Sequence, residues 1–146
     1  MWKKIFIFIV IDQITKLVFW SRDFFLPKAG PPQVGLLHIH QVKNSGLIFS
    51  LDFGLYINLV VIGLALIFFL YYFYKNGFVH TWSGQIIFAL ILAGAISNIF
   101  DRLYLGYVRD FLDIGWGFTF NLADVMIFIG LVWVLFTQNH EENIRH

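Results

Sequence analysis

Cysteine is missing from all 146 residues, which removes thiol nucleophiles, disulfides and cysteine metal sites together and leaves the redox compartment undetermined. Charge is scarce too: Asp, Glu, Lys and Arg account for 13% of the chain, and the formal net charge is +1. With no basic run to track a phosphate backbone, no nucleic-acid partner is expected. Proline appears only at Pro27, Pro31 and Pro32. Neither a repeat, nor a low-complexity tract, nor a linker divides the sequence, so residues 1–146 read as one domain.

What the chain has instead is apolar bulk. Hydrophobic residues make up 59% of it and the mean hydropathy is +0.75, whereas soluble domains hold roughly 45–50% apolar residues. A membrane protein is expected. A helix needs about 20 mostly apolar residues to cross the hydrocarbon. Four stretches read as spans: Lys4 to Trp20, Leu55 to Tyr74, Trp82 to about Leu103, and Phe120 to about Thr137. In the second, Asn58 is the one polar interruption, and Lys75-Asn76-Gly77 supplies a cation and a glycine stop. Trp2, Trp20, Tyr71, Tyr72, Tyr74, Trp82 and Trp133 fall mostly at span ends, where interfacial aromatics gather. The start, "MWKKIFIFIVIDQITK", imitates a secretory signal, but Asp12 interrupts its apolar stretch and no small-x-small cleavage site follows. A retained helix is expected.

The connections differ in length. Lys75 to Thr81 is a short link, whereas Ser21 to Gly54 contains the three prolines and "QVGLLHIHQV", whose partial alternation suits an amphipathic strand on the membrane surface. The fold class is therefore an all-α membrane protein: four transmembrane helices, with a small β-containing segment between helices one and two. Raw Lys and Arg counts do not orient it. Weighting the short flanks, Lys3, Lys4 and Lys75 put the termini in the cytoplasm and the β-containing segment outside.

In that arrangement the polar residues converge on one rim. Asp12 and Lys16 lie in the outer half of span one, and Asn44, Ser45 and Gly46 precede span two. Asn98, Asp101 and Arg102 end span three, Asp110 and Asp113 follow in the loop, and Asn121 and Asp124 open span four. An unpaired ionisable group at membrane depth costs at least about 2.5 kcal/mol, so such groups normally face a protein interior or a wet cavity. Each also has a plain structural explanation. Asp12 and Lys16, spaced i, i+4, form either an ion pair or a substrate-facing set; Asp101 and Arg102 suit a local ion pair or helix-end anchor, with a lipid headgroup or a peptide carbonyl as the other partners open to Arg102; "NSG" suits a turn. His38 and His40 share one strand face, but without a third ligand they suit a solvated face better than a metal site. Asp124 at a helix start is a natural N-terminal anchor.

Asp110 has no such explanation. A chain without thiol, metal or activated serine can hydrolyse a peptide bond with two carboxyl groups. The ionised one takes a proton from water; the protonated one hydrogen-bonds the carbonyl oxygen and later protonates the leaving nitrogen. Mutual repulsion separates their titrations and keeps the pair in its one-proton state. A serine–lysine protease using Ser45 or Ser97 with Lys16, a proton-coupled transporter, and a non-enzymatic scaffold are the other classes open at this point.

"DQITK" (12–16), "NSGLIF" (44–49), "NIFDR" (98–102), "VRDF" (108–111) and "FNLAD" (120–124), in this order around four spans, give the chain a resemblance over nearly its whole length to the lipoprotein signal peptidase family, signal peptidase II. The resemblance implies an aspartic endopeptidase of the bacterial inner membrane that acts on a diacylglyceryl-modified prolipoprotein and cuts before the lipidated cysteine. It implies Asp110 and Asp124 as the catalytic pair; Asn44, Gly46, Asn98, Arg102 and Asn121 as substrate-binding residues; and Asp12, Lys16 and Asp101 as structural support. No cofactor or metal is implied; the partners are the substrate and membrane lipids, and a monomer is expected. The chain departs from the family's usual pattern at Ser97, where glycine is frequent, at Leu47 and Ile48, where small residues are common, and at Arg109, where an apolar residue is usual. Turned toward Asp110, Arg109 would lower the pKa of that carboxyl and bias which aspartate holds the proton. Asp113 has no assigned role.

Overall fold

The computed structural model describes the chain apart from residues 21–32, 35–36, 47–51, 115–117 and 145–146. Pro27, Pro31, Pro32, Leu47 and Ile48 therefore lie outside the described residues. Four helices carry most of the fold: α1 (Trp2–Trp20), α2 (Leu55–Lys75), α3 (Trp82–Leu105) and α4 (Leu122–Ile144). All four fall where the hydrophobic runs place them. α2 and α3 are each long and apolar enough to cross a bilayer; the apolar part of α4 is the shorter Leu122–Thr137.

Helix limits follow from local chemistry. α2 stops at Asn76, a one-turn 3-10 helix follows at Phe78–His80, and the Thr81 hydroxyl accepts the Gly84 N–H at 3.1 Å to cap α3. α3 ends at Gly106, which has a left-handed φ of 84° and returns its N–H to the Arg102 carbonyl at 3.0 Å. That conformation suits a residue without Cβ and turns the chain directly into a strand.

The β structure is larger than the sequence indicates. β1 (Gln33–Val34), β2 (Leu37–Asn44), β3 (Val108–Asp113) and β4 (Thr119–Phe120) form an antiparallel sheet in that order. The alternation of "QVGLLHIHQV" does mark β1 and β2. β3 and β4 come from the connection between α3 and α4, read from sequence as a loop. "VRDFLD" is short, and two of its charged side chains are buried, so its pattern does not alternate as a half-solvated strand would. It becomes a strand by pairing with β2: Val42 faces Asp110, Lys43 faces Arg109 and Asn44 faces Val108. The two inter-helix connections are thus one structure, and that joins "NSG" to "VRDF".

At the end away from the sheet, Phe73, Phe78, Phe88 and Ile5 are buried together, with ring centroids 5.4 Å apart for Phe73–Phe78 and 5.6 Å for Phe78–Trp133. Along the bundle α3 packs against α1 and α4. A Cβ on Gly94 would lie 2.6 Å from the Ala123 carbonyl oxygen, so glycine there permits the close approach of α3 to the start of α4. Large apolar side chains face outward on every helix, among them Phe6, Leu64, Leu103 and Phe128, each more than 60% exposed. The molecule is apolar outside and polar within at one end, the reverse of a soluble domain.

Candidate active site

Where the sheet meets α1, α3 and α4, the polar residues separate into two connected layers. The deeper layer is a network of buried ion pairs and hydrogen bonds. Asp12 Oδ2 receives Lys16 Nζ at 2.8 Å and the Ser97 hydroxyl, while its Oδ1 accepts the Ala123 N–H at 2.7 Å. A carboxylate from α1 thereby caps the positive end of α4. Lys16 is fully buried and also reaches Asn98 Oδ1 at 2.8 Å and Asp101 Oδ2 at 3.4 Å. Asp12 and Lys16 are therefore paired with each other and turned into the bundle.

Asp101 does not pair with Arg102 as the sequence reading has it. Adjacent residues on a helix point about 100° apart and do not face each other. Asp101 instead receives the Arg109 guanidinium, Nη2 at 2.7 Å and Nε at 3.2 Å, together with the Arg109 backbone N–H at 3.1 Å. Arg109 accordingly turns away from Asp110. Arg102 reaches the other way, donating to the Gly46 carbonyl at 2.6 Å and the Asn98 carbonyl at 3.4 Å, and its buried Nε has no hydrogen-bond partner among the described residues.

The upper layer holds the two carboxyl groups. Asp110, on β3 and 1% exposed, accepts Asn44 Nδ2 at 2.9 Å on one oxygen and Asn121 Nδ2 at 2.7 Å on the other. Asp124, half-buried in the first turn of α4, accepts Asn98 Nδ2 at 2.8 Å on Oδ1 and the Asn121 N–H at 3.1 Å on Oδ2. Asn121 returns the contact, its Oδ1 accepting the Asp124 N–H at 3.0 Å, so the two form a reciprocal box at the helix start. Asn121 Nδ2 also donates to Asn98 Oδ1 at 3.2 Å. One asparagine therefore touches both carboxyl-bearing elements, and the helix-anchor reading of Asp124 holds for Oδ2 while Oδ1 faces Asn98. Burial, and after it the charge of Asp124, pushes the Asp110 carboxyl up to about 6.

Gly46 and Asn44 form the turn expected of "NSG", with Asn44 Oδ1 accepting the Gly46 N–H at 3.0 Å. Asn58 holds that turn to α2, donating to the Ser45 carbonyl at 2.9 Å and to Asp52 at 3.0 Å. Asn58 and Gln13 make part-buried polar contacts that the sequence reading missed. A lone amide in an otherwise apolar span, and a glutamine beside Asp12, were the available signals. Asp113 stands apart at the end of β3, with His40 Nδ1 3.4 Å from its Oδ2; the His38 side chain lies outside the described residues. Ser97 is spent on Asp12, and Lys16 on two carboxylates and an amide, so the two do not form a serine–lysine pair.

The chain is similar to known proteins over nearly its whole length. A family model described as signal peptidase (SPase) II matches residues 4–139. The lipoprotein signal peptidase of Trichormus variabilis is 37% identical, covering 99% of this chain and 92% of the relative. That of Buchnera aphidicola subsp. Baizongia pistaciae is 35% identical, covering 90% and 85%. Two solved bacterial membrane enzymes share the fold. One has a TM-score of 0.78 at 24% identity over 98% of this chain and 89% of its own; the other has 0.71 at 26% over 92% and 89%.

Proposed function

The chain belongs to the signal peptidase II family, and from that premise we propose that it is a membrane aspartic endopeptidase that removes the signal peptide from diacylglyceryl-modified prolipoproteins, cutting just before the lipid-bearing cysteine. The observation that carries this reading is the joining of Asp110 and Asp124, from different elements, through Asn121 at the polar rim of an otherwise apolar bundle.

The two carboxyl groups share one proton. The ionised group takes a proton from water as its oxygen attacks the scissile carbonyl carbon, and the protonated group hydrogen-bonds the carbonyl oxygen as it gains charge. Collapse of the tetrahedral intermediate breaks the C–N bond, and the leaving nitrogen receives a proton from the pair. Burial beside the Asp124 charge raises the Asp110 carboxyl to about 6, the direction expected of a pair that shares one proton. Asn44, Asn98 and Asn121 hold the carboxyl groups in place, while Gly46 and Arg102, joined at 2.6 Å, are assigned to the peptide path beside them.

All four helices cross the membrane in this reading, supported by the outward apolar side chains on each. The protein sits in the bacterial cytoplasmic membrane as a single-domain monomer, its site completed by one chain. Its termini are cytoplasmic, and the sheet and the site lie near the outer face. Two measurements test this. Purified protein in detergent should release the signal peptide from a diacylglyceryl-modified precursor and not from the unmodified one; equal cleavage of both would overturn the substrate assignment. Single cysteines at 40 and 114 should label from outside intact cells, and one at 76 should not; the reverse pattern would invert the topology.

A further inference from the structure

Arg109 is next to the proposed catalytic Asp110 yet takes no direct part in its carboxyl group's environment. Neighbouring strand residues point to opposite faces; Asp110 faces Asn44 and Asn121, and Arg109 faces α1 and α3. Its guanidinium and its own backbone N–H converge on the Asp101 carboxylate, and Nη2 also donates to Gln13 Oε1 at 2.6 Å. Gln13 in turn donates to Asp101 Oδ1 at 3.1 Å and to Ser97 Oγ at 2.8 Å. Arg109 is 6% exposed, so the clamp is buried. It is also closed on itself: a planar fork with fixed donors meets a carboxylate and an amide oxygen on two different helices.

We propose that Arg109 is a positioning residue: through Asp101 on α3 and Gln13 on α1 it fixes the depth and register of β3, and so aims the Asp110 carboxyl group at its partner. This inference rests on Asp110 being catalytic. A charge effect makes a different prediction from a geometric one. The influences on Asp110 are burial, Asp124, Asn44, Asn121 and Lys16, while the Arg109 charge is held against Asp101. A lysine that keeps the charge but loses the fork should therefore fail to replace it.

The test measures kcat, KM and thermal unfolding of Arg109→Lys, Arg109→Met and Asp110→Asn in detergent with a diacylglyceryl-modified precursor. Arg109→Lys and Arg109→Met should each lose about 10²-fold in kcat, the scale of a reacting group displaced by about 1 Å, with KM within about twofold of wild type. Wild-type kcat in Arg109→Lys overturns the inference, as does a loss that only tracks the folded fraction. If the arginine variants do not fold, Gln13→Met carries the test. It removes the Gln13 contacts to Arg109, Asp101 and Ser97 and leaves the Arg109–Asp101 pair, and should lower kcat without changing KM; an unchanged kcat overturns the inference. Activity in Asp110→Asn would instead remove the catalytic reading, whereas an inactive Asp110→Asn beside a fully active Arg109→Lys would remove the positioning role alone.

Discussion

Away from the sheet the helices meet through rings: Phe73 against Phe78 and Phe88, and Phe78 against Trp133. At the sheet end they meet through charge and amides: Asp12, Lys16, Asn98, Asp101 and Arg109, all buried. In lipid the first kind of contact gains little from excluding water, and packing alone decides it, so rings of similar volume can replace one another. A buried carboxylate has no such tolerance. It must keep particular donors at particular angles, or its desolvation goes uncompensated. The aromatic end joins helices; the polar end also fixes where individual atoms sit, and the two aspartates are there.

The largest test of this contrast lies within the polar end. Asn nearly matches Asp in shape but cannot shuttle the proton. Asp110→Asn or Asp124→Asn should lower kcat by at least about 10³-fold with the fold intact, and the double variant should be little worse, because the pair acts as a unit. A well-folded single variant with near wild-type turnover would break the assignment.

Next come matched disruptions of the two ends. Asp101→Asn leaves Arg109 and Lys16 short of a buried partner and should cost about 3–5 kcal/mol of stability, while Phe88→Ala should cost a similar amount, about 3–5 kcal/mol, through its cavity. Among molecules that remain folded, only Asp101→Asn should lose kcat. Equal loss of specific activity in both would mean that the aromatic end also sets the site geometry.

A third test uses pH. The Asp110 carboxyl is raised to about 6 from an ordinary 3.8, so the folded state binds that proton more tightly than the unfolded state. Its stabilising contribution is fully present below about 3.8 and is lost as pH rises through about 6. The unfolding free energy of wild type minus that of Asp110→Asn should therefore fall across this window, by at most about 3 kcal/mol. A difference that stays flat, or rises with pH, would contradict the buried carboxyl beside a second negative charge. The smallest effect belongs to Asp113→Asn, at the strand end and away from the pair: within about 0.5 kcal/mol in stability and near wild type in kcat. Abolished cleavage in that variant would mean the site is centred elsewhere on β3.

Sequence by itself determined the parts governed by local rules. Runs of apolar residues set all four helices, with boundaries within about two residues except at the end of α4, which continues from the expected Thr137 to Ile144 through polar residues, and the i, i+4 spacing of Asp12 and Lys16 put their side chains together. The polar motifs also marked the end of the bundle where the buried polar side chains gather. Tertiary structure decided the partners. Asp101 sits beside Arg102 in sequence yet meets Arg109, because helix geometry separates neighbours by about 100° and a glycine turn returns β3 to the same face. "VRDF" is a strand because β2, more than sixty residues earlier, pairs with it. Asn58 shows its use only once the turn at Ser45 is in place beside it. Periodicity reports which face of an element is buried, but a buried polar side chain is satisfied by whichever donor the packing brings within about 3 Å, and that donor is set by the whole fold.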